Sequence, residues 1–172
     1  MESIAGPAAD DGRIVGWREW VALPALGIDA IRAKLDTGAK TSALHAWDEE
    51  LYEVGGHPWV RFCAHPIERD DDTVVRCAAP LTDCRWVTNS GGGREHRNVI
   101  TTMLGIAGET WEIELTLTHR DEMGFRMLLG REAMRGRLIV DPTQSFRTGS
   151  RARTARLRRS KPGGRTTLRS AR

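Results

Sequence analysis

Cysteine is scarce in this 172-residue chain: Cys63, Cys77 and Cys84 are odd in number and form no Cys-x-x-Cys pair. That excludes a disulfide framework or a zinc ribbon and reads as reduced thiols in a cytoplasmic protein. Apolar runs are short, and none approaches the roughly 20 residues of a membrane helix, so no membrane association is expected. Residues 1–11 lack the basic start and apolar stretch of a secretion signal. No Gly-x-x-x-x-Gly-Lys-Ser/Thr loop is present, and Gly91-Gly92-Gly93 runs into Arg94, so any ATP would be used by a partner. The five histidines, His45, His57, His65, His96 and His119, include no HExxH motif and no pair at i, i+4 spacing. No metal and no cofactor are therefore assigned.

Acid is missing from one end. Residues 147–172 hold ten basic residues, nine arginines and Lys161, with no Asp or Glu and no interleaved aromatics. Of 26 basic and 23 acidic residues in all, this leaves 16 against 23 in residues 1–146, a balance of −7 that the net charge of +3 conceals. The tail is rich in Arg, Ser, Thr and Gly without periodicity, so it is expected to be disordered in isolation. It reads either as a solvated extension or as a polyanion contact, holding RNA or an acidic peptide without sequence preference.

What the chain does have is strands. With 40% apolar and 28% charged residues it can build one cored domain, and it is too short for two. Ile31, Ala33 and Leu35 alternate with Arg32 and Lys34, giving one apolar and one wet face. Residues 51–64 read as a hairpin turned by Gly55-Gly56. Residues 73–78 and 84–88 read as two further short strands, and residues 89–94 as a loop. A second hairpin joins residues 99–104 to residues 111–118, which alternate without a fault. A strand over 125–129, a single helical turn over 131–135 and a closing strand over 138–140 complete the domain. Trp17 and Trp20 fall on opposite strand faces. The expectation is an all-β closed barrel with one short C-terminal helix over residues 13–146, between a disordered 1–12 and the disordered tail 147–172.

The chemistry sits at the end of the alternating strand, in Asp36-Thr37-Gly38-Ala39. A carboxylate that closes an apolar strand and is followed by Thr-Gly is how pepsin-like and retroviral proteases present their catalytic aspartate. Further along, Met127-Leu128-Leu129-Gly130-Arg131-Glu132-Ala133-Met134 resembles the retropepsin pattern of apolar residues, Gly-Arg and a short helix. Peptide hydrolysis by carboxylates needs two, one activating water and one donating a proton. The chain carries one Asp-Thr-Gly motif, so a homodimer would have to supply the second. Gly38 lets the backbone pass close to the carboxylate, the Thr37 hydroxyl can brace the turn across the interface, and Ala39 leaves room for substrate main chain.

Beyond these motifs, Ile14-Val15-Gly16-Trp17-Arg18-Glu19-Trp20-Val21-Ala22-Leu23-Pro24 and Ala33-Lys34-Leu35-Asp36-Thr37-Gly38-Ala39-Lys40-Thr41-Ser42-Ala43-Leu44-His45-Ala46 are similar to a bacterial and archaeal retropepsin-like family. That family is often labelled ATP-dependent zinc protease. The similarity continues through residues 111–131 and Val140-Asp141-Pro142. It implies a closed barrel with a flap, working as a dimer beside ATP-grasp ligases that add glutamate. Asp36 would be catalytic, Thr37, Gly38 and Ala39 would face substrate, and Gly130 and Arg131 would support the loop from behind. The flap is left to residues 55–76 or 89–97, and the dimer contacts to residues 14–23 and 138–140. The expected function is a homodimeric aspartic peptidase that acts on a peptide or protein, with glutamate-rich ligated tails as one substrate. The alternatives are a non-catalytic peptide-binding partner of a ligase, or a zinc peptidase built on His45, His57, His65 or Cys63.

Overall fold

The structure, a computed structural model, describes residues 13–89, 91–119 and 124–160. The expectations for residues 1–12 and for the tail beyond residue 160 lie outside the described residues, as do residues 120–123. Among the described residues eleven strands carry the fold: β1 (Arg13–Gly16), β2 (Arg18–Leu23), β3 (Ile28–Asp36), β4 (Ser42–His45), β5 (Trp47–Val54), β6 (His57–Ala64), β7 (Val75–Thr88), β8 (Arg94–Ile106), β9 (Glu109–Thr118), β10 (Met127–Gly130) and β11 (Leu138–Asp141). Two short helices, α1 (Arg131–Met134) and α2 (Arg151–Ser160), and a 3₁₀ turn over Pro24–Leu26 accompany them. The protein is all-β.

Nine strands form one sheet in the order β2-β3-β10-β4-β9-β8-β7-β6-β5, and a further pairing of Ala22 with Gly105 joins β2 to β8. That contact closes β2, β3, β10, β4, β9 and β8 into a ring, with β7, β6 and β5 continuing outward. The ring's interior is filled by side chains from alternate positions, as a small closed sheet requires. Ile31, Leu44, Ile100, Leu104, Leu115, Met127 and Leu129 have no exposed surface. In β3 the alternation works as read: Ile31, Ala33 and Leu35 are buried, while Arg32, Lys34 and Asp36 are half-buried. In β9 it holds from Trp111 to Leu115, but Thr116 and Thr118 are buried as well. Their hydroxyls donate to the Ser42 carbonyl and to the Glu95 carboxylate, which makes burial of that polar face tolerable.

The β5–β6 turn uses Gly55 at φ 57° and Gly56 at φ 79°, two consecutive left-handed residues that match the twist of a two-residue hairpin. Two expectations change. Residues 73–78 and 84–88 belong largely to one strand, β7, which runs through Pro80 because its partners β6 and β8 pair with its two halves, offset at a register shift between Leu81 and Asp83. Among the described residues there are two helices rather than one, and α2 occupies residues 151–160 of the segment expected to lack structure. It packs against β2 and β3. Apart from these, β1 and β11 pair in parallel, Ile14 opposite Ile139, as a separate two-stranded sheet.

Candidate active site

The Asp36 carboxylate is fixed by its own loop. Oδ1 accepts from the Gly38 amide at 3.0 Å and the Ala39 amide at 3.2 Å, and Oδ2 lies 3.4 Å from Lys34 Nζ. A β-carbon on Gly38 would stand 3.2 Å from Oδ1, so glycine leaves the carboxylate its place. Thr37 is exposed and Ala39 is half-buried at the loop's outer surface.

Behind this loop stand the residues of the second motif. β10 runs parallel to β3 and sets Gly130 beside Asp36. A β-carbon on Gly130 would fall 2.5 Å from the Thr41 carbonyl carbon, which no side chain could occupy. The Gly130 amide instead donates to Ser42 Oγ at 3.1 Å. The amides of Arg131 and Glu132, which the first turn of α1 cannot use, donate to the carbonyls of Ala39 at 2.8 Å and Lys40 at 3.2 Å. Arg131 Nη1 donates to the Gly38 carbonyl at 3.0 Å. Asp36, Gly38, Ala39, Gly130 and Arg131 are thus one hydrogen-bonded corner, whereas the exposed Thr37 hydroxyl points no bond into it.

The corner forms the floor of a cavity of about 1000 Å³. Its roof is residues 85–89, the outer end of β7 and the start of the turn that follows, so of the two flap candidates the glycine-tipped β7–β8 hairpin lines this cavity and the β5–β6 hairpin does not. Trp17, Phe125 and Leu128 supply apolar wall. Lys34, Lys40, Arg85 and Arg97 also line it, and Asp36 is the one carboxylate among the described lining residues. Arg97, 7% exposed, is held by Glu95 at 2.8 Å, and Arg85 by Asp83 and Glu114. Partial burial lowers the Arg85 pKa, and the hydrogen bonds and charges of Glu114 and Asp83 more than reverse this, so it stays cationic. Sequence reading missed Ser42, Thr116, Lys40, Arg85 and Arg97. Lys34 had a signal, its place on the wet face of β3; the others depend on which strands the fold brings alongside.

A zinc site does not fit these residues. Among the described residues no group of three or more His, Cys, Asp or Glu could hold one ion. His45 and His65 both stack on Trp47, with ring centroids 5.9 and 4.1 Å from it. Among the described residues no helix is long and apolar enough to cross a membrane.

The chain is similar to known proteins. "Probable alpha-L-glutamate ligase" of Shewanella pealeana is 46% identical over 143 residues, 83% of this chain but 31% of that protein. The protein of the same name in Desulfotalea psychrophila is 52% identical over 130 residues, 76% of this chain and 28% of its own length. The chain therefore spans less than a third of these longer relatives. A crystal structure of a Legionella pneumophila protein of unknown function superposes with a TM-score of 0.66 at 26% identity, covering 79% of this chain and 98% of that one. The family described as "Retropepsin-like aspartic endopeptidase RimB" matches residues 14–150, and the chain belongs to this RimB-like family.

Proposed function

We propose that the protein is an aspartic peptidase whose carboxylate dyad is assembled from Asp36 of two copies of the chain. The observation that carries this reading is the Asp36 carboxylate itself. It is oriented by two loop amides on the floor of a hairpin-covered cavity large enough for several residues of extended peptide. Two such carboxylates about 3 Å apart cannot both ionise, so they share one proton. The ionised member takes a proton from water as it attacks the scissile carbonyl carbon, and the protonated member gives its proton to the carbonyl oxygen; the proton taken from water then passes to the amide nitrogen as the C–N bond breaks and the amine leaves. The place to look for a second copy is the β1–β11 sheet, where the paired Ile14 and Ile139 are 46% and 54% exposed.

The substrate we propose is an acidic peptide, such as a glutamate tail added by an ATP-grasp ligase. The cavity's Lys34, Lys40, Arg85 and Arg97 complement carboxylates, and the relatives that contain this domain bear the name of a glutamate ligase. The latter observation also favours a second reading, a non-catalytic module that presents peptide to a ligase. Asp36→Asn separates the two. A peptidase loses at least about 10³-fold in turnover of a glutamate-rich peptide while keeping its fold and peptide affinity. Wild type that binds such peptides and cleaves none between acid and neutral pH leaves the module.

A further inference from the structure

The family match ends at residue 150, and the next element is α2, Arg151–Ser160, with arginine at 151, 153, 156, 158 and 159 and no acid. The domain holds the start of this helix in a defined place. Glu19 on β2 is wholly buried, and its carboxylate accepts from the amides of Gly16 at 2.7 Å, Arg147 at 2.9 Å and Thr148 at 3.1 Å, and from Thr148 Oγ1 at 2.8 Å. Phe146 stacks on Trp20 with centroids 5.9 Å apart, and its amide donates to the Arg18 carbonyl. A buried carboxylate that takes three of its four hydrogen bonds from one passing segment is a strong anchor, because losing the segment leaves the charge poorly satisfied.

Arginine, alanine and leucine favour a helix over Arg151–Ser160, and the Ser150 hydroxyl accepts from the Arg153 amide at 3.4 Å. Against this, the arginines at 153, 156 and 159 fall at i, i+3 spacing, where like charges repel.

We infer that α2, anchored by the Glu19 clasp, is an arm that binds the phosphate backbone of a double-stranded nucleic acid without reading its sequence. Two features select this polyanion. Residues 147–172 contain no Phe, Trp or Tyr, so the arm has no platform on which single-stranded bases would stack. A duplex also presents one charge per about 1.7 Å of axis with a condensed counterion layer. An extended acidic peptide offers about half that density, one charge per roughly 3.4 Å. Arginine outnumbers lysine nine to one in this segment, and its planar fork pairs with phosphate oxygens two at a time.

The test is fluorescence anisotropy with labelled 20-base-pair RNA and DNA duplexes, single-stranded RNA and an oligoglutamate, from low to physiological salt. The full chain is compared with a chain ended after Thr148 and with Arg156→Gln/Arg158→Gln/Arg159→Gln, which keeps the helix formers. The expected result is duplex binding that weakens steeply with salt, a loss of at least tenfold on truncation, and a log–log salt slope about 2–3 smaller in magnitude for the triple variant. RNA and DNA duplexes held alike place recognition on phosphate alone, and a preference for RNA adds the 2′-hydroxyl; either supports the arm. Duplex binding that survives truncation, absence of duplex binding at low salt, or tighter binding of oligoglutamate or single-stranded RNA overturns it. Peptide hydrolysis measured in parallel should be the same in all three chains, so this outcome is independent of the proposed catalytic role of Asp36.

Discussion

The floor and the roof of the cavity are built in opposite ways. On the floor, four backbone amides, those of Gly38, Ala39, Arg131 and Glu132, and one guanidinium hold the Asp36 loop to itself and to α1. The roof is the outer half of β7, where Trp86 is 60% exposed and the hairpin ends in a glycine run. Geometry for chemistry demands the first construction, and admission of a peptide demands the second. The difference teaches that position and access have been assigned to separate strands, so they should fail separately.

Breaking the floor should have the largest effect after Asp36→Asn. Gly130→Ala drives a methyl into the Thr41 carbonyl, which can retreat only by moving the Asp36 loop. Overpacking of this kind costs about 1–3 kcal/mol, and turnover should fall more than stability does. Urea unfolding beside peptide hydrolysis measures both; a variant with normal stability and activity would show that the floor does not set the position of Asp36.

Breaking the roof should look different. Trp86→Ala removes an exposed ring and should move stability by no more than about 0.5 kcal/mol. If the ring closes over peptide, kcat/KM falls roughly tenfold, equivalent to about 1.4 kcal/mol. Equal losses in stability and kcat/KM would show that the hairpin is part of the scaffold.

The smallest effect sharpens the comparison within a single strand. Cys77 lies on the inner half of β7 and Cys84 on the outer half. Burial, with a smaller contribution from Cys63, pushes the Cys77 thiol from 9.0 up to about 12, whereas Cys84 is exposed. An alkylating reagent near pH 8 should label Cys84 promptly and Cys77 only after unfolding. Because the Cys77 pKa is raised on folding, its contribution to stability is complete below pH 9 and fades as pH climbs towards 12. Labelling of both thiols at one rate would mean that β7 opens along its whole length.

Much of the floor was legible because it is local. The alternation of β3 and the Asp36-Thr37-Gly38 turn follow from residue order alone, and Gly130-Arg131 marks a close approach. The roof was legible only as a choice, since nothing in a glycine-rich loop says which cavity it overhangs. Pro80 and Asp83 made β7 look like two strands; Pro80 is tolerated where the strand changes partner, a tertiary circumstance. The helix α2 has no apolar stripe to announce it and owes its place to Glu19, a residue far away in sequence. The cavity's cations come from β3, the Asp36 loop, β7 and β8, so their convergence exists only after folding.

The Glu19 clasp also sets an order in time. The residues it joins are 129 positions apart, so during synthesis Glu19 is made long before Thr148. At 5–20 residues per second the interval is on the order of ten seconds. Until it ends, β2 must keep its carboxylate in water, and the ring cannot seal around it. A nascent chain of this protein should therefore acquire its protease resistance late, when the last of these donors emerges.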